Sequence, residues 1–144
     1  MRTKSVGVLL LDADKVLLVK HTEKARHQTG AYGFPAGRVE VVTNETEIHA
    51  ASRELYEETG LQISESDLLE FPENYVESTL AMKQGPEDFS YRVFLGKNWS
   101  GDIRPSEENI PEWIEIDKLS SLKLTSSNII NFVNSGLKFQ NERK

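Results

Sequence analysis

Arg53-Glu54-Leu55-Tyr56-Glu57-Glu58-Thr59-Gly60-Leu61 is the stretch on which the reading of this chain turns. It sets three carboxylates beside one guanidinium and then stops at a glycine. On a helix, Glu54, Glu57 and Glu58 stand at i, i+3 and i+4, so their side chains rise from one face. Acidic side chains at i, i+4 repel by roughly 0.2–0.5 kcal/mol. Such a face is therefore either fully solvated or gathered around a cation. Arg53 lies four residues before Glu57, the spacing of a helical ion pair that can fix a carboxylate's rotamer. Gly60 stands where a left-handed C-cap belongs.

The flanking sequence supplies a setting for that helix. Val6 to Leu11 is a nearly continuous apolar run, as in a strand covered on both faces. Asp12-Ala13-Asp14 turns the chain, and Lys15 to Lys20 returns it as the second strand of a hairpin. From His21 to Gly37 the sequence is glycine-rich with few core-forming residues, which marks a functional loop. Arg38 to Val42 is expected to be a short strand. Thr43-Asn44 is expected to start the helix, with Ala50, Ala51 and Leu55 as its apolar stripe. Further strands are expected over Leu68 to Thr79 and Asp88 to Leu95, separated by a turn at Gln84-Gly85-Pro86. A short strand, Trp113 to Ile116, leads to a brief helix at Asp117. Thr125 to Asn134 reads as a closing amphipathic helix with Ile129, Ile130 and Val133 inside. Strands interspersed with helices predict an α/β fold, an α/β/α sandwich around a mixed β-sheet.

Residues 37–61 resemble the signature of the Nudix (MutT-like) hydrolases. From Glu45 onward, seven residues precede Arg53-Glu54-Leu55-Tyr56-Glu57-Glu58-Thr59-Gly60-Leu61, and every position specified by that signature is matched. Seven residues also separate Gly37 from Glu45, two more than the family pattern, which reads as a two-residue insertion in the loop entering the helix. Ala36 stands where many members carry a second glycine. The likeness continues in the apolar hairpin before Gly33-Phe34-Pro35-Ala36-Gly37. It continues too in the late acidic segment from Ser106 to Asp117, which leads into the strand bearing Trp113. The expectation is a single Nudix hydrolase domain over 1–144.

The resemblance implies a hydrolase that uses Mg²⁺, or Mn²⁺ in its place, to cleave the diphosphate bond of a nucleoside diphosphate linked to another moiety. A nucleoside triphosphate is one such substrate, since the Pro111-Glu112-Trp113 strand is similar to that of triphosphate-cleaving members. The proline that often follows the motif in ADP-ribose hydrolases is absent, with Glu77 in its place. Arg53, Glu54, Glu57 and Glu58 are implied as the catalytic set, and Glu54, Glu57, Glu58 and the Gly37 backbone as the metal set. Arg53 would orient the glutamates, and Glu45 would support the loop or an outer metal shell. The general base is either Glu54 or a late-loop glutamate, Glu107 or Glu108. Tyr32, Phe34, Arg38 and Trp113 are candidates for substrate contact. The runner-up is a Nudix-fold sensor that binds nucleotide without cleaving it.

The physical chemistry of the residues agrees. Mg²⁺ is a hard cation that takes oxygen ligands and keeps several waters, and a face of three glutamates offers such ligands beside a diphosphate. The chain has 144 residues, 17 basic against 23 acidic, for a formal net charge of −6. That balance argues against long nucleic acid as a partner, which needs a basic footprint. A small nucleotide held through a cation is not excluded. The absence of cysteine rules out disulfides, thiolate metal sites and thiol nucleophiles. Met1-Arg2-Thr3-Lys4 precedes an apolar run too short for a signal peptide, and no run is long enough for a membrane span. A cytoplasmic monomer or homodimer without membrane association is expected.

Several residues carry two readings. His49, one turn before Arg53, is a surface residue or an auxiliary phosphate contact. His21 and His27, with Lys20, Lys24 and Arg26, form a solvated loop or a phosphate-binding group. The Gly30–Gly37 loop lacks the Gly-Lys-Ser/Thr ending of a P-loop. Tyr32, Phe34, Phe89, Tyr91 and Trp113 are either core aromatics or a platform for a base.

Overall fold

In the computed structural model, residues 2–25 and 28–143 are described. Arg26 and His27, part of the basic loop group, lie outside them. The chain runs β1 (Arg2–Leu9), β2 (Leu11–Asp12), β3 (Lys15–His21), β4 (Tyr32–Gly33), β5 (Ala36–Arg38), α1 (Glu47–Thr59), β6 (Leu68–Leu69), β7 (Tyr75–Met82), β8 (Gly85–Gly96), β9 (Asn109–Glu115) and α2 (Asn128–Glu142). Short 3₁₀ turns at Val41–Thr43, Glu65–Asp67 and Ile116–Ser121 join some of them.

The expected mixed sheet is present. Its order is β5-β1-β8-β6, with β7 also on β8. β1 and β8 are parallel over their full register, Arg2↔Asp88 to Leu9↔Leu95, while the β5, β6 and β7 pairings are antiparallel. A second, antiparallel sheet has the order β2-β3-β4, with β9 pairing along the whole of β3. Two apolar clusters close the layers. One packs α1, through Ala50, Ala51 and Leu55, on Val6, Val8, Leu17 and Phe94. The other packs α2, through Ile129, Phe132 and Val133, on Leu9, Leu18, Val93 and Leu95. Neighbours along β1 therefore point into opposite cores, as the period of two requires. The unbroken Val6–Leu11 run follows from helices on both sides.

Several boundaries move for identifiable reasons. α1 begins at Glu47, not Thr43-Asn44, because Thr46 is the N-cap and its hydroxyl accepts from the His49 N–H. Val41–Thr43 is a 3₁₀ turn instead of the end of a strand, closed by Asn44 in the left-handed region. The expected strand over Leu68 to Thr79 is split into β6 and β7 by a turn in which Glu73 has positive φ. Gly85 and Pro86 belong to β8, so the hairpin turn is Lys83-Gln84. Trp113 lies inside β9, which starts earlier than expected, at Asn109. α2 starts later and runs further, to Glu142, with Ile130 only partly buried. The C-cap at Gly60 is as expected, with φ 89°.

No helix among the described residues is long and apolar enough to cross a membrane. Leu55 is fully buried, whereas its neighbour Tyr56 is 45% exposed. Leu55→Ala is therefore expected to cost about 2–5 kcal/mol in urea unfolding, and Tyr56→Ala far less. Equal losses for the two would contradict the packing of α1.

Candidate active site

Arg53 gathers the charged groups of the motif. Its Nε donates to Glu45 Oε2 at 2.7 Å and its Nη2 to Glu45 Oε1 at 2.8 Å, a two-pronged pair. Nη1 reaches Glu57 Oε1 at 2.8 Å and Glu54 Oε1 at 3.1 Å, and Nη2 also meets the Arg38 carbonyl at 3.0 Å. One guanidinium thus ties the entering loop, α1 and the end of β5 together. Glu45 also accepts from the Glu40 N–H at 3.0 Å and lies 2.8 Å from His49 Nδ1. Arg53 above all, with help from these neighbours, holds the nearly buried Glu45 down to about 2 despite the desolvation that opposes it.

Two other glutamates have the opposite electrostatics. Burial, then its contact with Glu57 and the nearby Glu58 charge, pushes Glu54 up to about 8 against the pull of Arg53. Burial raises Glu58 to about 7, reinforced by Glu57 and Glu108, although the Ala36 N–H donates to its Oε1 at 2.8 Å. Glu57 is half exposed and turned onto Arg53. Gly37 explains how Glu54 fits, since a Cβ there would overlap the Glu54 carboxylate. Only glycine lets the β5 backbone approach so closely.

Glu58 and Gly37 border a cleft of about 540 Å³. Glu58, Ala36, Gly37 and Arg38 form its polar edge, and Phe34, Phe89, Tyr91 and Phe132 contribute an aromatic wall. Phe132 meets Phe34 edge-on at 6.2 Å and Tyr91 at 5.8 Å between ring centres. An anionic end beside an aromatic end suits a ligand with a phosphate group and a flat apolar part.

Sequence expectations distribute unevenly over this geometry. Arg53, Glu54, Glu57, Glu58, Gly37, Arg38 and Phe34 come together. Tyr32 and Trp113 do not line the cleft. Tyr32 interacts through its hydroxyl with Glu112, and Trp113 packs against Trp99, at 5.8 Å, on the α1 core cluster. Alternation along β9 sets that direction for Trp113, so it anchors the core. Glu107 and Glu108 are both exposed; their carbonyls accept from the Thr22 hydroxyl and N–H, and only Glu108 contributes to the field at Glu58. Phe132 and Ile129 of α2 and Thr125 before it were not anticipated as cleft residues. Their apolar spacing signalled burial, and nothing local signalled that the burial borders a cavity.

Among the described residues, no three acidic or imidazole groups converge on one point, because Arg53 holds Glu57 and the Ala36 N–H holds Glu58. The donor set still fits a hard cation. Glu54 and Glu58 are crowded oxygen donors whose ionised forms burial penalises, and the backbone beside Glu54 has no side chain in the way. Raised carboxylates make the folded state bind extra protons, so their stabilising contribution is full below about 4.5 and is lost as pH rises through 7 to 8. Glu45 acts in reverse, contributing above its ordinary value and losing that contribution as pH falls towards 2. Thermal melts in chelator are expected to give a lower Tm near pH 8 than near about pH 5. Mg²⁺ should narrow that gap, and Glu54→Gln should flatten it. A metal-free Tm that climbs steadily towards pH 8 would contradict these environments.

Comparison with known proteins adds independent support. A family model described as NUDIX domain matches residues 1–133. No curated protein matches the chain. Among solved structures, a MutT Nudix hydrolase from Burkholderia pseudomallei superposes with a TM-score of 0.74 at 21% identity, covering 94% of this chain and 98% of that one. A MutT protein from Methanosarcina mazei Go1 gives 0.72 at 23% identity over 99% and 96% of the two chains. An Ap4A hydrolase from C. elegans gives 0.63 at 19% identity over 98% of each. These likenesses show a shared fold, and the family match extends over nearly the whole of a chain that carries the Arg53–Glu45–Glu54–Glu57 constellation: the protein belongs to the Nudix family of hydrolases.

Proposed function

We propose that the protein hydrolyses the diphosphate bond of a nucleoside diphosphate linked to another moiety, with Mg²⁺ or Mn²⁺ as the cofactor. The observation that supports this best is a desolvated carboxylate, Glu58, at the polar edge of an aromatic-walled cleft, with a second, Glu54, packed against the edge residue Gly37. Glu54, Glu58 and Glu57, with the Gly37 backbone, are the groups suited to hold the metal. When bound, it would neutralise diphosphate charge and acidify a water for attack at phosphorus.

The protein's own groups divide the remaining work. Arg53 keeps Glu54 and Glu57 in place and has its donors occupied by protein oxygens, so it positions ligands and does not contact substrate. Phe34 and the facing aromatics exclude water and receive a flat base. Glu54 is already engaged by Arg53 and pressed against Gly37, whereas Glu108 is exposed and makes no ion pair among the described residues. We therefore assign the proton from the attacking water to Glu108, which lies close enough to influence Glu58. Glu107 is the less suited late-loop residue, since only its backbone is engaged nearby.

A phosphate-release screen, with and without Mg²⁺, tests the assignment. Its panel is nucleoside triphosphates, nucleoside diphosphates, dinucleoside polyphosphates and nucleotide sugars. Turnover that requires the cation is expected for at least one class. Glu54→Gln and Glu58→Gln should each lower that turnover by orders of magnitude and leave metal-free Tm near pH 8 unchanged or higher, because each removes a penalised charge. Glu108→Gln should cost more than Glu107→Gln. Near-normal turnover in both Glu54→Gln and Glu58→Gln would sink the assigned roles.

A further inference from the structure

The Tyr91 side chain has a partly buried aromatic ring packed against the core and a polar end with no hydrogen-bond partner among the described residues. On β8 it stands opposite Ser5 of β1, and its ring packs edge-on against Phe132. The hydroxyl extends along the sheet to Gly7, where a Cβ would overlap it. Gly7 in turn pairs with Ala36, the residue whose N–H holds Glu58. The phenol thus spans the cleft floor from the aromatic wall to the carboxylate edge, and both Tyr91 and Glu58 line the cavity.

That hydroxyl makes no hydrogen bond or ion pair among the described residues. Tyr91 is only partly buried and lines the cleft, so its free donor is open to a ligand there. Glu58, whose charge influences it, is held by the Ala36 N–H instead. Burial first, and the Glu58 charge second, push the phenol above its ordinary range, so it stays a neutral donor throughout the working pH range. A neutral donor beside carboxylates can bind an anion without adding charge.

We propose that Tyr91 is a substrate-contacting residue whose hydroxyl, passing over the bare backbone of Gly7, donates a hydrogen bond to a phosphate oxygen of the bound diphosphate. The placement selects phosphate over the base, because the hydroxyl lies at the Gly7–Ala36–Glu58 end of the cleft and the ring fills the space towards Phe132. Glycine at position 7 is then a requirement of ligand binding as well as of packing. This contact rests on the reading that the cleft receives a diphosphate.

Tyr91→Phe keeps the ring and its packing on Phe132 and removes only the donor. Two measurements on the intact protein with Mg²⁺ separate this contact from the hydrolase reading. Calorimetry with methylenediphosphonate, a diphosphate mimic without a base, is expected to show binding weakened roughly tenfold to a hundredfold, the scale of a lost hydrogen bond to a charged group. Turnover of the best substrate in the panel should lose kcat/KM by a similar factor, with the wild-type Tm and an unshifted pH profile. Equal methylenediphosphonate affinity in the two proteins overturns the proposal, as does a wild-type protein that does not bind it. Weakened binding in the variant with no turnover by the wild type would support the Tyr91 contact and overturn the hydrolase reading.

Discussion

The Arg53 guanidinium is the constraint on which the rest of the site depends. It bonds oxygens from three structural units: the loop carboxylate Glu45, the helix carboxylates Glu54 and Glu57, and the Arg38 carbonyl at the end of β5. Any one of these contacts would be modest at the protein surface. Here they share one planar cation that is only 24% exposed, and Glu45 beneath it is almost completely buried. A lysine has the charge but not the fork needed to reach these oxygens at once. The same hub grades the acidic face. Glu45 and Glu57 are held at 2.7 to 2.8 Å, Glu54 takes a longer 3.1 Å bond and stays raised by burial, and Glu58 lies beyond the reach of Arg53 at the cleft edge. That gradation lets a strongly acidic helix remain packed while two of its carboxylates stay desolvated.

The sheets determine where the face points. α1 buries Ala50, Ala51 and Leu55 on β1 and β8, which sets its rotation about its own axis. Once those residues point inward, Glu54 and Glu58 reach the edge strand β5. The loop before α1 runs clear of this arrangement. Val42 is 94% exposed at its tip, and Glu45 returns to both Glu40 and Arg53. The loop therefore bulges outward while its two ends keep their contacts. Exposure of this kind is characteristic of surface connections.

Much of the architecture was legible because it is written in local pattern. The helix with its glycine cap, the mixed sheet and the Arg53-centred motif all follow from spacing and residue type. The expected hairpin of Val6 to Leu11 with Lys15 to Lys20, in contrast, shrinks to Leu11–Asp12 on β3, because β1 joins the other sheet beside β8. Boundaries were less legible where a side chain competes with the backbone, as at Thr46, which delays the start of α1 until its hydroxyl can cap it. The aromatic assignments were the least legible. Trp113 and Tyr91 are both aromatic residues in strands, and no local signal distinguishes a ring stacked on Trp99 from one that floors a cavity. What separates them is the partner strand and the face, which arise from pairings distant in sequence. The role of α2 in the cleft was hidden for the same reason, since Phe132 reaches it only after the whole chain has closed.

The pairing of β1 with β8 has one further consequence. Its first strand waits for a partner more than eighty residues along the chain, and the pairing is parallel. Non-local parallel pairing is slow, because loop-closure entropy is lost before the contacts compensate. During synthesis, α1 and its glutamates emerge long before β8 and α2 can complete the cleft. The nascent chain thus displays acidic groups without a pocket, and the cleft is completed late and all at once. The acidic helix face and the cavity beside it are made at different times, and only the closing of the chain brings them together.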